Sequence, residues 1–283
     1  MTESTGKDVK DTLKNHWLVT PYALDAPLPA LARLARPGWS VSAGVPSMAD
    51  ATGAANAADG AGGDLLTRIA AVHGPLVSDV SKAVELGERP VCILGDCSQA
   101  IAVLAGLQRA GIAPLVVWFD AHGDFNTHDT TITGYVAGMP IAMITGRGNQ
   151  ALVEADGLKP VPDTDIILAD ARDLDPKERE LLEQSKVAHL TDINEVVERV
   201  AASDRPFYVH FDVDVLDSAE APAQQYPVPN GPSIETLRNA AARLHQTGRL
   251  AAASMNPWAL DKETDGPTAA ACWSIFNALV GGA

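Results

Sequence analysis

The order of apolar and amphipathic segments predicts a single α/β domain of three layers, α/β/α, with a mainly parallel sheet between helices. Three observations carry this expectation. Short β-rich apolar runs recur along the chain, each is followed by a longer stretch of helical periodicity, and no internal repeat or break in composition divides the 283 residues. Taken in order, the polar, mixed-charge opening from Met1 to Lys14 reads as a frayed terminus rather than a targeting peptide. The first strand is expected at 17–20. Residues 49–64, almost wholly Ala, Gly, Asp and Asn, are expected to form a long flexible surface loop. A helix over 64–88 then leads to a strand at 91–94, a helix over 98–110 and a strand at 115–119. After a strand at 166–168, Asp175 followed by Pro176 opens a helix over 176–186, because Pro suits the first helical position. Asp192 with Glu195 has capping-box spacing for a helix over 192–203. A strand at 207–211 precedes a helix over 233–247 with Ser233 as N-cap. The last strand and helix are expected at 250–255 and 267–280.

Bulk properties exclude several classes. An apolar content of 46% is ample for a buried core without staples. Three cysteines, Cys92, Cys97 and Cys272, with no secretory signal argue against a disulfide framework and for a reducing cytoplasm. No apolar run approaches the roughly 20 residues of a membrane span. A formal charge of −15 opposes a nucleic-acid partner, whose phosphates are neutralised by Lys and Arg, and leaves room for bound cations.

In open α/β sheets the functional site lies at the carboxyl ends of strands. Three apolar runs end abruptly in polar residues. The run at 115–119 meets Asp120-Ala121-His122-Gly123-Asp124, the run at 207–211 meets Asp212-Val213-Asp214 with Asp217 three further on, and the run at 91–94 ends in Gly95-Asp96-Cys97-Ser98. Residues two apart on extended chain point the same way, so Asp120 with His122, and Asp212 with Asp214, can converge on one centre. Alone, either pair reads as an ordinary surface turn. Several carboxylates buried together would repel one another and lose hydration unless cations compensate, which argues for metal. Carboxylate plus imidazole suits Mn²⁺ or another borderline divalent ion. Bridging carboxylates favour two ions about 3.5 Å apart that share and acidify a water.

The blocks D-A-H-G-D-F-N-T and H-F-D-V-D-V-L-D, with their spacing, resemble the signature blocks of the ureohydrolase family of arginases and agmatinases, over about residues 90 to 260. The resemblance implies the three-layer fold, two manganese ions, assembly into trimers or hexamers, and attack of a bridging hydroxide on a guanidinium carbon with release of urea. It further implies that Asp120 and Asp212 bridge both ions, that Asp124 completes the first, and that His122 with Asp214 completes the second. Asp124, which would hold the nucleophile by hydrogen bond, and Asp217 are the candidate catalytic carboxylates. Asn126 and Thr133 match positions that hold an α-carboxylate in arginases, and Asp175 matches one that reads an α-amino group. Each would otherwise read as a turn or cap residue.

Three departures qualify the likeness. Cys97 stands where the family pattern G-G-D-H-S supplies a His ligand, Ala137 stands where arginases carry a proton-shuttling His, and Ser254 replaces the Glu of E-x-N-P that pairs with the guanidinium. With Cys97 as ligand, Zn²⁺, Fe²⁺ or Co²⁺ become candidates beside Mn²⁺. In the Cys97 block and the stretch from Thr130 to Tyr135 the chain is similar to hydrolases of N-hydroxy-arginine. The expected substrate is therefore a small amino acid with a modified guanidino or amidino end, with Ser254 as a further substrate-pocket residue. Two rivals are a single-zinc deacetylase of similar architecture, which would lack the combined carboxylate blocks, and a catalytically silent family member serving as a binding or scaffold subunit. His128, Asp129, Gln224, Gln225 and Tyr226 lie near the blocks and read chiefly as solvated loop. His210 alternates with Asp212 and is a candidate for orienting a ligand.

Overall fold

Alternate residues of a strand face opposite sides of a sheet, and in the computed structural model, which describes residues 13–42 and 62–282, this alternation divides the core in two. Trp17, Val19, Val91, Ile93, Val117 and Phe119 belong to one apolar cluster, whereas Leu18, Cys92, Leu94, Val116 and Trp118 belong to the other. A sheet apolar on both faces needs a helical layer on each. Helices Ile193–Ala201, Ile234–Gln246 and Pro267–Val280 cover the first face. Helices Gly62–Glu85, Gln99–Arg109, Pro140–Ile144 and Ala151–Asp156 cover the second.

The sheet has eight strands: β1 Asn15–Val19, β2 Ser40–Val41, β3 Arg89–Ile93, β4 Leu115–His122, β5 Ile166–Asp173, β6 Ala188–Leu190, β7 Phe207–Asp212 and β8 Leu250–Asn256. Their spatial order is β2-β1-β3-β8-β7-β4-β5-β6, and every neighbouring pair is parallel. The chain passes from β3 to β4 across the places later filled by β7 and β8. Reversals of this kind leave a crevice at the carboxyl ends of the strands, where ligands bind. All four central strands deliver residues there.

The predicted strands and longer helices are all present, with ends moved by a few residues. The sequence reading omitted β2, β6, the hairpin of Tyr22–Ala23 with Ala26–Pro27, and the helices Pro140–Ile144 and Ala151–Asp156. Each is too short to show a period. Residues 49–61 of the expected loop lie outside the described residues, and 62–64 already belong to helix Gly62–Glu85. The caps follow local chemistry. Ser233 Oγ accepts from Thr236 N–H at 3.2 Å and Asp192 accepts from Asn194 N–H at 2.8 Å. The capping box forms at Asp175 and Glu178, at the start of helix Pro176–Glu183. Among the described residues no helix is long and apolar enough to cross a membrane.

Candidate metal centre

Parallel register stacks the polar residues of four strands in rows. Ser254 on β8 pairs with His210 on β7, and His210 pairs with Trp118 on β4. One row further toward the carboxyl ends, Asn256 pairs with Asp212, and Asp120 pairs with Asp170 on β5. The apolar strands therefore lift a layer of carboxylates onto the rim of the core, where most of them are buried. Asp120, Asp124 and Asp214 are 1%, 4% and 4% exposed.

Among the described residues three groups of donor atoms come together, each within 4.8 Å: Cys97, Asp120 and Asp124; Asp120, His122 and Asp214; and Cys97, His210 and Asp212. Cys97 Sγ lies 3.2 Å from Asp212 Oδ2, and Asn256 Nδ2 donates to both, at 2.8 and 3.0 Å. His122 Nδ1 faces Asp120 Oδ1 at 3.3 Å and Asp214 Oδ2 at 3.1 Å. Backbone and ring donors fix the carboxylates. Asp120 accepts from His122 N–H at 2.7 Å and from Trp118 Nε1 at 3.2 Å, Asp212 accepts from Asp214 N–H at 3.1 Å, and Asp214 accepts from Ala121 N–H at 3.1 Å. All six residues expected to hold metal thus meet in one place.

The loops that carry them are shaped by residues the motifs did not advertise. Asp124 sits in the left-handed region at φ +47, an uncommon conformation for a non-glycine residue. The preceding Gly123 rests so closely on Glu178 and Leu174 that a Cβ there would meet the Glu178 carboxylate at 2.6 Å. Glu178 in turn accepts Phe125 N–H at 2.9 Å and Asp175 N–H at 3.1 Å, tying the β4 loop to the start of helix Pro176–Glu183. Arg172 is a second tie. Its guanidinium pairs with Asp170 and donates to the carbonyls of Asp214, Val215, Leu216, Val228 and Pro229, clamping the β7 loop to the end of β5. In the third block, Asp96 is not aimed at the centre. Its carboxylate takes the N–H groups of Leu24 and Ser98 and the Ser98 hydroxyl, and so braces the turn that presents Cys97.

Electrostatically the cluster is starved of positive charge. Burial, then Asp214, pushes the Asp212 carboxyl up to about 7, and burial, then Asp120, does the same for Asp214. Asp124 is raised by burial and Asp120, and the Cys97 thiol by burial and the surrounding carboxylates. His122 responds in the opposite sense: burial opposes its charge, but the hydrogen bonds to Asp120 and Asp214 prevail and raise it to about 12. Asp124 Oδ2 is buried without a hydrogen-bond partner. Acceptors crowded together, an orphaned carboxylate oxygen and an imidazole nitrogen directed at two carboxylates fit a pair of divalent cations as the missing charge.

Beside the cluster, Asn126 Nδ2 donates to Asp175 Oδ2 at 3.1 Å, Ile132 N–H reaches the same oxygen at 3.3 Å, and Thr130 Oγ1 donates to Asn126 Oδ1 at 2.8 Å. Asn126, Asp175 and the 130–133 loop are one network next to the Asp124 loop. Thr133 is exposed, and its hydroxyl oxygen accepts Tyr135 N–H at 3.1 Å. Tyr226 lies edge-on to His122 with ring centres 6.4 Å apart, and Tyr135 lies 6.0 Å from Tyr226, so two half-exposed rings flank the metal ligands. His128, Asp129 and Gln225 are solvated, whereas Gln224 is buried and donates to the carbonyls of Val213 and Leu216.

Two expected residues stand apart. Asp217 turns its carboxylate to Ala219 N–H at 2.8 Å, shaping a turn beyond the cluster. Ser254 is fully buried beneath the metal ligands, and its hydroxyl lies 2.5 Å from Tyr208 OH and 2.8 Å from His210 Nδ1. The supporting residues Arg172, Glu178 and Asn256 were missed. Of these, Glu178 was signalled by its capping-box spacing from Asp175, and Asn256 by its alternation with Ser254. For Arg172 the sequence holds no comparable signal.

Comparison with known proteins agrees with this geometry. The arginase family model matches residues 34–280. The arginase of Bacillus subtilis is 32% identical over 219 residues, covering 72% of this chain and 74% of that protein. Human mitochondrial arginase-2 is 30% identical over 214 residues, covering 69% and 60%. Among solved structures, Bacillus subtilis arginase superposes with a TM-score of 0.76 at 23% identity over 96% of this chain and 99% of that one. Entamoeba histolytica arginase in complex with L-ornithine gives 0.79 at 20% identity, covering 95% and 98%. The agmatine ureohydrolase of Thermoplasma volcanium gives 0.61 at 17%, covering 99% and 93%. The chain therefore belongs to the arginase family, as a ureohydrolase that hydrolyses guanidino C–N bonds.

Proposed function

We propose that this enzyme hydrolyses the guanidino end of an α-amino acid whose terminal nitrogen is modified, with N-hydroxy-L-arginine as the leading substrate. The observation that carries this reading is the Asn126–Asp175 network beside the Asp124 loop. A carboxylate and a carboxamide fixed next to a metal cluster suit the ammonium and carboxylate of an amino acid, which agmatine-like amines lack. The modified end follows from Ser254. Buried, neutral and engaged by Tyr208 and His210, it offers a guanidinium no anionic partner. N-hydroxylation lowers the basicity of a guanidine and reduces its need for one.

In this reading Asp120 and Asp212 would serve both ions, Cys97 and Asp124 the first, and His122 and Asp214 the second. When bound, the two divalent ions supply Lewis acidity toward water and the guanidino group. The protein's own residues do the rest. Asp124 presents its unpartnered Oδ2 to orient the attacking water and take up its proton. Asn126, Asp175 and the 130–133 loop fix the amino-acid end, so that the guanidino carbon stays over the carboxylates. Tyr135 and Tyr226 wall the mouth beside His122. Ala137, buried and apolar, supplies no proton relay, which again favours a leaving nitrogen of low basicity. Manganese is the family's metal, while the Cys97 thiolate favours Zn²⁺, Fe²⁺ or Co²⁺ at the first position. A cytoplasmic trimer or hexamer belongs to the same proposal, and light scattering reads the assembly.

The test is a panel of L-arginine, N-hydroxy-L-arginine, agmatine and N-hydroxyagmatine, assayed for urea or hydroxyurea. We expect N-hydroxy-L-arginine to lead, with its decarboxylated analogue lower in kcat/KM by at least about 100-fold, as expected where buried polar groups are left unpaired. Equal kcat/KM for the amino acid and the amine would remove the Asn126–Asp175 argument. An absence of turnover on all four, with two ions bound, would favour a silent binding protein.

A further inference from the structure

Among the buried polar side chains that the mechanism does not use, His210 is one that lies beside the candidate metal donors. His210, on β7 two residues before Asp212, is fully buried, with its ring centre 4.0 Å from that of Trp118. Its Nδ1 lies 2.8 Å from Ser254 Oγ, while its Nε2 is buried without a hydrogen-bond partner. A buried nitrogen left unpaired is destabilising, so each case in a native fold calls for an explanation. The surroundings offer one. A ring nitrogen of His210, Cys97 Sγ and a carboxylate oxygen of Asp212 lie within 4.8 Å of one another.

We propose that His210 is an additional ligand of the first metal ion, forming with Cys97 and Asp212 a sulfur, nitrogen and oxygen donor set, and that Ser254 is the residue that aims it. The inference rests on the two-ion reading above and goes beyond it, since that reading assigns His210 no ligand role. A metal-bound imidazole is fixed by a hydrogen bond at its other nitrogen, which sets both tautomer and ring orientation. Ser254 is placed for this by register, directly opposite His210 in the sheet, and Tyr208 OH holds the serine from its other side. With the proton on Nδ1 toward Ser254, the Nε2 lone pair is free for the ion. A glutamate at 254 would put another negative charge beside a thiolate and four carboxylates, whereas a serine orients the ring without one. The two departures at 97 and 254 then form one device. The family's imidazole at 97 gives way to sulfur, and an imidazole returns from β7 under the control of the residue that replaced the glutamate. Such a donor set suits Zn²⁺, Fe²⁺ or Co²⁺ better than Mn²⁺.

The decisive measurement uses the wild-type protein. X-ray absorption at the zinc edge of the two-zinc enzyme should count one sulfur and two imidazoles, His122 and His210, shared over the two ions. In parallel, metal-stripped wild type, Ser254→Ala and His210→Gln are titrated with Co²⁺ while the sulfur-to-cobalt charge-transfer band is followed. Ser254→Ala should weaken the first cobalt roughly 10-fold, as loss of a ligand's hydrogen-bond partner does. His210→Gln should weaken it further, and both should leave the second cobalt unchanged. If His210→Gln loses its circular dichroism, Ser254→Ala and the absorption spectrum decide. Two ions with one sulfur but a single imidazole, or variants with wild-type cobalt affinity and spectrum, overturn the inference while the two-ion reading stands. A wild type that binds no ion overturns both.

Discussion

The two sides of the strand-end crevice differ in chemistry although they belong to one sheet. The side built by β4 and β7 carries Asp120, His122, Asp124, Asp212 and Asp214, the donors that the D-A-H-G-D and D-V-D blocks imply, held by backbone N–H groups and Trp118. The side built by β3 and β8 carries Cys97, Ser254 and Asn256, with sulfur at 97 and a hydroxyl at 254 where the family pattern has imidazole and carboxylate. The donors of the first side match the family blocks, and the second side departs from them at 97 and 254. Four carboxylates balance two divalent ions, and a Cys97 thiolate leaves the centre one charge more negative than an imidazole would.

The largest expected effect lies on the side built by β4 and β7. Asp212→Ala removes a carboxylate that would serve both ions, so it should abolish turnover and strip both metals. Two ions per chain by elemental analysis, with near-normal activity, would disprove that assignment. Next is Arg172→Ala, which breaks the clamp between β5 and the β7 loop and leaves Asp170 buried without its partner. Removing one member of a buried pair costs about 3–5 kcal/mol. Urea denaturation should show a lowered midpoint at unchanged slope. An unchanged midpoint would mean that the clamp carries no stability.

A smaller effect concerns Glu178, whose carboxyl burial raises from 4.5 to about 7. In metal-free protein the unfolded state releases this proton before the folded state does. The sign is therefore negative: Glu178 lowers stability as pH rises from about 4.5 to 7, by at most about 3 kcal/mol. Glu178→Gln should flatten the decline of stability across that window. A slope identical to wild type would show that Glu178 titrates normally.

Much of this comparison was readable before the structure. The six main strands announced themselves as apolar runs, and the metal donors as polar residues that end those runs, because burial on both faces and convergence at strand ends each leave a local mark. Cys97 and Ser254 were visible as departures, but the role of Ser254 was not. Its hydroxyl is occupied by Tyr208 and His210 from the neighbouring strand, a fact of register that no linear motif encodes. The place of Asp217 was hidden for a similar reason: the chain leaves extended geometry after Asp212 in the turn Val213–Val215, and the Asp217 carboxylate accepts Ala219 N–H. Arg172 and Glu178 act on distant loops through backbone groups, and backbone groups look alike in every sequence.

The difference between the two sides rests on Cys97, and Cys97→His tests it most directly. Competitive titration of metal-stripped wild type and variant with Mn²⁺ and Zn²⁺ reads the preference of each ion. The account predicts that wild type holds one ion that favours Zn²⁺ over Mn²⁺, and that Cys97→His shifts this ion alone toward Mn²⁺. It further predicts a lower midpoint of the activity–pH profile and no new arginase activity, because Ser254 is unchanged. Metal content, metal preference and pH profile all unaltered in Cys97→His would contradict it, since Cys97 would then be no ligand.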